Sequence, residues 1–170
     1  LPDVMRALVA QGCDVVLSGV DEHAQARLRE NVPGWDEQVS AARLLDPRAV
    51  LARAALCVCH GGSGTVYQSL SAGVPLVCLP GNGDQGLVAQ AVETSGAGEA
   101  LAPERACGHR LAETLARVLG VATYREKAQH LALALARRDT RGRWLEFLTG
   151  ALGAPTFALG ARPDTEAPLE

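Results

Sequence analysis

The sequence has no apolar run of about 20 residues, the length that a helix needs to cross a membrane. It also has no excess of positive charge, because 16 Lys and Arg residues stand against 19 Asp and Glu residues. A nucleic-acid-binding domain carries a basic surface, so we exclude that class. The first residues, LPDVMRALVAQGCD, lack the charged-then-apolar layout of a signal peptide. The chain does not begin with Met, so we expect it to start inside a longer protein.

The five cysteines do not form the pattern of a disulfide framework, because their count is odd and several lie in predicted strands. A metal site made of Cys57, Cys59 and His60 is an alternative. Alternation along a strand, however, turns Cys57 and Cys59 to one face and His60 to the other. We therefore predict small buried thiols and no metal site. Unpaired cysteines fit a reducing cytoplasm.

The sequence does contain an alternation of short apolar strands with helices. This pattern predicts an α/β fold with a Rossmann-like doubly wound parallel sheet. The predicted strands are residues 13–18, 38–41, 55–59, 76–79 and 99–101. The predicted helices are residues 2–11, 21–30, 47–54, 64–72, 84–95, 109–119, 122–137 and 140–149. Asp21 and Asp84 are candidate N-caps of their helices, and Gly96 is a left-handed stop after residues 84–95. Residues 31–35 predict a turn-rich loop, and the continuously apolar residues 76–79 predict a strand buried on both faces.

Residues 1–149 are predicted to form one domain, and the chain is long enough for a real core. Residues 150–170 are rich in Gly, Pro and Ala and show no periodicity, so we predict a disordered tail or linker. The chain opens on a helix, whereas domains of this kind open on a central strand. We therefore expect that a first strand is missing upstream of Leu1.

The most informative segment is CHGGSGTVYQSLSAGVPLVCLPGNGDQ, residues 59–85. In it a strand is followed by His60, a glycine-rich turn and a helix. Unpaired backbone N–H groups and the helix dipole make such a turn an anion site. His60 stands at the carboxyl end of its strand, where parallel sheets bind ligands, and imidazole can donate to phosphate. Asp84 and Gln85, after the next strand, are placed to bind hydroxyl groups. The segment predicts a site for a phosphorylated ligand.

The segment resembles the donor-binding, C-terminal half of GT-B glycosyltransferases of family 1. These are UDP-glycosyltransferase-like enzymes that include natural-product and macrolide glycosyltransferases. The resemblance depends on the order and spacing of the His-Gly-Gly-Ser-Gly-Thr turn, the Ala-Gly-Val-Pro segment and the Asp-Gln pair. It implies a hexosyltransferase that moves a hexosyl group from a nucleoside-diphosphate sugar to a hydroxyl of a small-molecule acceptor. It implies no cofactor and no bound metal.

The resemblance also implies a role for individual residues. The implied donor-binding residues are His60, Gly62, Ser63, Gly64 and Thr65 for the diphosphate, Gln68 for the ribose, and Asp84 and Gln85 for the sugar. The sequence departs from the family pattern at Gln68, where many relatives carry a glutamate. It also departs at residues 43–47, which lack the aromatic residue that stacks on the base in many relatives.

The catalytic base of such enzymes usually lies in the other, N-terminal half, which also binds the acceptor. We therefore assign no catalytic residue in this chain and expect it to be incomplete as an enzyme. A stand-alone donor-binding subunit of a two-component sugar transferase is the alternative. A sugar-nucleotide epimerase shares the fold, but it would use several acidic residues around the sugar, and only Asp84 is evident here.

Overall fold

The computed structural model describes residues 1–152. Within them the parallel strands are β1 (Val15–Ser18), β2 (Val39–Ala42), β3 (Cys57–Cys59), β4 (Leu76–Cys78) and β5 (Gly98–Ala100). The helices are α1 (Pro2–Val9), α2 (Glu22–Asn31), α3 (Trp35–Gln38), α4 (Pro47–Leu51), α5 (Ser63–Ser71), α6 (Gly83–Ser95), α7 (Gly108–Gly120), α8 (Ala122–Ala136) and α9 (Thr140–Leu152), with a 3-10 turn at Pro103–Arg105. None of the helices in this part of the chain is long and apolar enough to span a bilayer.

The strands form two parallel sheets. One sheet pairs β1 with β2, and the other has the order β3-β4-β5. The parallel α/β arrangement predicted from the sequence is confirmed, but the strands do not form one continuous sheet. The reason is that β1 and β3 each pair along one edge only within residues 1–152. The missing first strand expected upstream of Leu1 stays a prediction.

The three apolar clusters of residues 1–137 lie against these sheets. β4 is the central strand of its sheet, and Leu76, Val77 and Cys78 are all fully buried. This matches the prediction of a continuously apolar strand covered on both faces. On β1, by contrast, Val16 is 51% exposed. Leu8 of α1 packs against two clusters, one with Leu111, Leu115 and Val77 and one with Met5, Leu28 and Trp35.

Local signals position most helix ends. Asp21 caps α2 by accepting from the N–H of Ala24 at 2.8 Å, as predicted. Asp46 caps α4, but this helix ends at Leu51 rather than at residue 54. Gly96 ends α6 in the left-handed region at φ 72°, also as predicted. The predicted loop at residues 31–35 leads directly into the short helix α3, whose Trp35 is buried.

A polar network joins β5 to α7 and α8. Arg117 donates from Nε and Nη2 to the two carboxylate oxygens of Glu99, at 2.6 and 2.7 Å. Tyr124 donates its hydroxyl to the same carboxylate. The hydrogen bonds from Arg117 lower the pKa of Glu99, and Tyr124 acts in the same direction. Burial opposes them. We call Glu99, Arg117 and Tyr124 the carboxylate network.

Among the described residues, 138–152 belong to a separate unit, which we describe by itself. Its helix α9 begins after Asp139, whose carboxylate accepts from the N–H of Gly142 at 2.7 Å. Trp144 and Phe147 stack with ring centroids 5.4 Å apart. Most of the predicted tail, residues 153–170, lies outside the described residues, so its predicted disorder stays a prediction.

Candidate functional site

The candidate site lies where β3 and β4 end side by side. Cys59, the last residue of β3, pairs in register with Cys78, the last residue of β4. Beyond that pair, the N–H of Leu79 donates to the carbonyl of Cys59 at 2.8 Å. His60 and the segment after Leu79 therefore leave the sheet at the same edge. This is the edge at which parallel sheets bind ligands.

The glycine-rich turn contacts the beginning of α6. Gly61 has φ +83°, a conformation that side chains disfavour. A Cβ atom on Gly61 would lie 3.0 Å from the backbone carbonyl oxygen of Gln85. This close approach brings together two groups that the sequence separates by more than 20 residues, namely the turn and the Asp84–Gln85 pair. The two predicted halves of the site are therefore neighbours.

The side chain of His60 lies over the turn that follows it. Its Nε2 atom is 2.6 Å from the position that a Cβ atom on Gly62 would occupy. Any side chain at residue 62 would force the imidazole to move. His60 is exposed, so the ring is accessible above the turn.

The N-terminus of α5 is left without a side-chain acceptor. Gly62 is the N-cap residue and has no side chain that could accept a hydrogen bond, and no acidic residue lies in the first turn. The first helical hydrogen bond is donated by Val66 to the carbonyl of Gly62. The backbone N–H groups of Ser63, Gly64 and Thr65 precede this bond and are directed out of the helix end. Such an end favours an anion.

The other side of the site is the beginning of α6. Asn82 caps this helix, because its Oδ1 accepts from the N–H of Gln85 at 3.0 Å. Asp84 was the helix-capping candidate in the sequence, and the structure corrects this: Asp84 lies in the first turn and is exposed. The side-chain oxygen of Gln85 accepts from the N–H of Gly81 at 2.8 Å, which orients the amide. The Asp84 carboxylate is therefore not used for capping.

Gln68 lies one helical turn beyond Gly64 on α5. Residues at this spacing share a helix face, so Gln68 lies on the side of Gly64. Its side chain is exposed. All eight predicted donor-binding residues thus lie on β3–α5 or on the start of α6.

Sequence reasoning missed a contact beneath the turn. The Gly61 N–H donates to the Sγ atom of Cys59 at 3.4 Å. Hydrogen bonds from the thiols of Cys57 and Cys78 lower the pKa of Cys59, and the Gly61 N–H and His60 act in the same direction. Burial of Cys59 opposes them. The pKa values of Cys57 and Cys78 are raised, chiefly by the same hydrogen bonds and also by burial. Only the position of three cysteines in predicted strands could have signalled this cluster.

No metal-binding group of three or more His, Cys, Asp or Glu side chains occurs among the described residues. A cavity of about 650 Å³ lies elsewhere, at the start of α2 and the end of β2, and Asp21, His23 and Arg43 are among its lining residues. A second cavity of about 320 Å³ lies between β5 and α7. The predicted site residues line neither of these two cavities.

Comparison with known proteins relates this surface to a family. Residues 3–140 match the family described as "Erythromycin biosynthesis protein CIII-like, C-terminal domain". The chain is 44% identical over 96 residues to the PGL/p-HBAD biosynthesis rhamnosyltransferase of Mycobacterium bovis (strain BCG / Pasteur 1173P2). That alignment covers 56% of this chain and 21% of the relative. The chain therefore spans about a fifth of that relative's length.

Solved structures of glycosyltransferases share the fold. The calicheamicin glycosyltransferase CalG4 superposes with a TM-score of 0.73 at 24% identity, over 90% of this chain and 41% of CalG4. The glycosyltransferase VinC, solved in complex with DTDP, superposes with a TM-score of 0.71 at 24% identity. That match covers 80% of this chain and 33% of VinC. The fold is that of a part of these larger enzymes.

Proposed function

Because the chain belongs to the erythromycin biosynthesis protein CIII-like C-terminal domain family, we propose that it is the donor-binding half of a glycosyltransferase. Its ligand is a nucleoside-diphosphate sugar, and the whole enzyme transfers the hexosyl group to a hydroxyl of a small molecule. The acceptor-binding site and the catalytic base belong to an N-terminal domain outside this sequence. The rhamnosyltransferase relative and the DTDP complex of VinC support this proposal.

One observation carries the proposal, namely the close approach of Gly61 to the Gln85 carbonyl. It places an uncapped helix N-terminus, suited to phosphate, directly beside an exposed carboxylate and an amide, suited to sugar hydroxyls. A diphosphate sugar has both chemistries in one molecule. A site for inorganic phosphate alone would not need the carboxylate and the amide beside the helix N-terminus.

We assign the diphosphate to His60 and to the backbone N–H groups of residues 62–65, with the Thr65 hydroxyl as a further donor. Asp84 and Gln85 bind hydroxyl groups of the sugar. Gln68 is the ribose ligand. As an amide, Gln68 gives a weaker hydrogen bond to a hydroxyl than a carboxylate would. The Asn82 cap supports the role of Asp84, because it leaves that carboxylate available.

The chemistry that this half contributes is stabilisation of the leaving group. As the bond between the sugar and the phosphate breaks, negative charge develops on the departing nucleoside diphosphate. The N-terminus of α5 and the imidazole of His60 lie where they stabilise that charge without reorganisation. We propose that the reaction therefore needs no bound metal. The five free cysteines support a reducing, cytoplasmic location.

Binding of the donor tests the proposal. Isothermal titration of the full-length protein with UDP- and TDP-sugars compares the wild type with His60→Ala. Loss of a hydrogen bond to a charged phosphate costs about 1.5–3 kcal/mol, so we expect at least about tenfold weaker binding. His130→Ala is the matched control, because His130 is exposed on α8 and distant in the chain from the site.

Undiminished binding in His60→Ala would remove His60 from the diphosphate site. A wild type that binds no nucleoside-diphosphate sugar at all would contradict the proposed function. The two-component subunit has no support among the relatives named above. A coding sequence upstream of Leu1 that contains an acceptor domain in frame would exclude the two-component subunit.

A further inference from the structure

A hydrogen bond joins Cys59 and Gly61, the two residues on either side of His60. The acceptor is the side chain of the residue before His60, and the donor is the backbone N–H of the residue after it, at 3.4 Å. A bond between residues i and i+2 fixes the backbone of the residue between them. It also directs the Gly61 N–H inwards, away from the exposed surface of the turn. The position of His60 and the path of the turn therefore both depend on this sulfur.

The sulfur is itself held firmly. The main chain of Cys59 is paired with β4, through its register partner Cys78 and through the 2.8 Å bond from the Leu79 N–H. Its thiol belongs to a cluster with the thiols of Cys57 and Cys78, and Cys78 is fully buried. The acceptor thus belongs to the rigid sheet and the donor to the turn.

We propose that Cys59 is a positioning residue for the diphosphate of the donor. It holds Gly61 against the sheet, so that His60 lies over Gly62 and the N–H groups of residues 63–65 face the ligand. Cys59 does not contact the donor, because its sulfur lies beneath the turn. This inference rests on the proposed function, since it assigns the turn to a diphosphate.

Cys57 provides a matched comparison within the same strand. It is two residues earlier on the same face of β3, it is also half-buried, and it takes part in the same thiol cluster. Its sulfur receives no bond from the turn. A substitution at residue 57 therefore perturbs the thiol cluster and the packing as one at residue 59 does, but it leaves the Cys59–Gly61 bond in place.

The test measures affinity for UDP and TDP by isothermal titration in the full-length protein, together with the free energy of unfolding in urea. Cys59→Val removes the acceptor and fills the space, and Cys57→Val is its control. A neutral hydrogen bond contributes about 0.5–1.5 kcal/mol, so we expect Cys59→Val to bind about three- to tenfold more weakly. Cys57→Val should bind as the wild type does, even though both variants change stability by similar amounts.

Cys59→Ser distinguishes positioning from packing, because its hydroxyl keeps an acceptor next to the Gly61 N–H. We expect it to bind UDP and TDP more tightly than Cys59→Val does. If Cys59→Val fails to fold, Cys59→Ala takes its place with the same expectations. Equal affinity of Cys59→Val and wild type would overturn this inference alone, as would an equal loss in Cys57→Val. Absence of binding by the wild type would instead contradict the proposed function.

Discussion

The β3–α5 turn and the corner formed by β5, α7 and α8 both place polar groups near the end of a strand, but they use them in opposite ways. In the corner, Glu99 accepts hydrogen bonds from Arg117 and Tyr124, so the polar groups satisfy one another. In the turn, the helix end has no side-chain cap, and the imidazole of His60 is exposed. The polar groups of the corner pair with one another and stabilise the fold, whereas those of the turn are available to a ligand.

This difference separates two kinds of mutational effect. Changes in the corner and its apolar neighbours should lower the free energy of unfolding and leave the affinity of the folded protein unchanged. Changes in the turn should lower affinity with little effect on unfolding. The following predictions test this separation, in order of decreasing size.

The largest effect is expected for Leu115→Ala. Leu115 is fully buried on α7, in the cluster with Leu111 and Val77. Truncation of such a leucine leaves a cavity and costs about 3 kcal/mol. Urea denaturation should show this loss, whereas titration under native conditions should give the affinity of the wild type for UDP or TDP. A drop in affinity with intact folding would show that the corner and the turn are coupled.

The opposite pattern is expected for Gly64→Ala. A Cβ atom on Gly64 would meet no protein atom within 4 Å, so the fold has room for it. Alanine also favours a helix over glycine, so the free energy of unfolding should stay equal or rise. If the diphosphate binds where we propose, the methyl group would occupy its space, so we expect at least about tenfold weaker binding.

Gly120→Ala is the matched control for Gly64→Ala. Gly120 is likewise a helix-end glycine whose Cβ position is open, but it lies at the end of α7. The affinity of the Gly120→Ala variant for UDP or TDP should equal that of the wild type. If Gly64→Ala binds equally well, no phosphate approaches that part of α5.

The smallest effect is expected for Glu99→Gln, which weakens the carboxylate network. Because Glu99 is partly exposed, we expect a loss of about 1 kcal/mol at neutral pH. The pKa of Glu99 is lower in the folded protein than in the unfolded chain, where it is about 4.3. The stabilisation is therefore complete above that value and is lost as the pH falls through the folded-state pKa.

Urea denaturation from pH 7 down to pH 3 checks this prediction. The difference in free energy of unfolding between wild type and Glu99→Gln should be constant near neutral pH and should shrink on acidification. A difference that grows as the pH falls would contradict the assigned direction of the pKa shift. Affinity for the donor should not change in this variant.

The sequence was a good guide to elements that depend on neighbouring residues. The apolar run at Leu76–Cys78 predicted a buried strand, and Gly96 predicted a helix end. It was a poorer guide where several local signals compete. Asn82, Gly83 and Asp84 all lie at the start of α6, and the pattern did not show that the first of them supplies the cap.

Contacts between distant residues could not be predicted from the pattern. The approach of Gly61 to Gln85 and the bonds from Arg117 and Tyr124 to Glu99 depend on how elements pack in three dimensions. The division into two sheets has the same origin, because strand pairing is a long-range property. The residues of the candidate site are a prediction from the sequence, and the structure added how the turn and the start of α6 meet.

The most direct test of the central claim is a titration of 15N-glycine-labelled protein with UDP and TDP, followed by NMR. If the β3–α5 turn binds the diphosphate, the amide signals of Gly61, Gly62 and Gly64 should shift together and saturate with one affinity. Gly108 and Gly120, at the two ends of α7, should stay unchanged. If the amide signals of Gly61, Gly62 and Gly64 stay unchanged while those of other glycines shift, the turn does not bind the diphosphate.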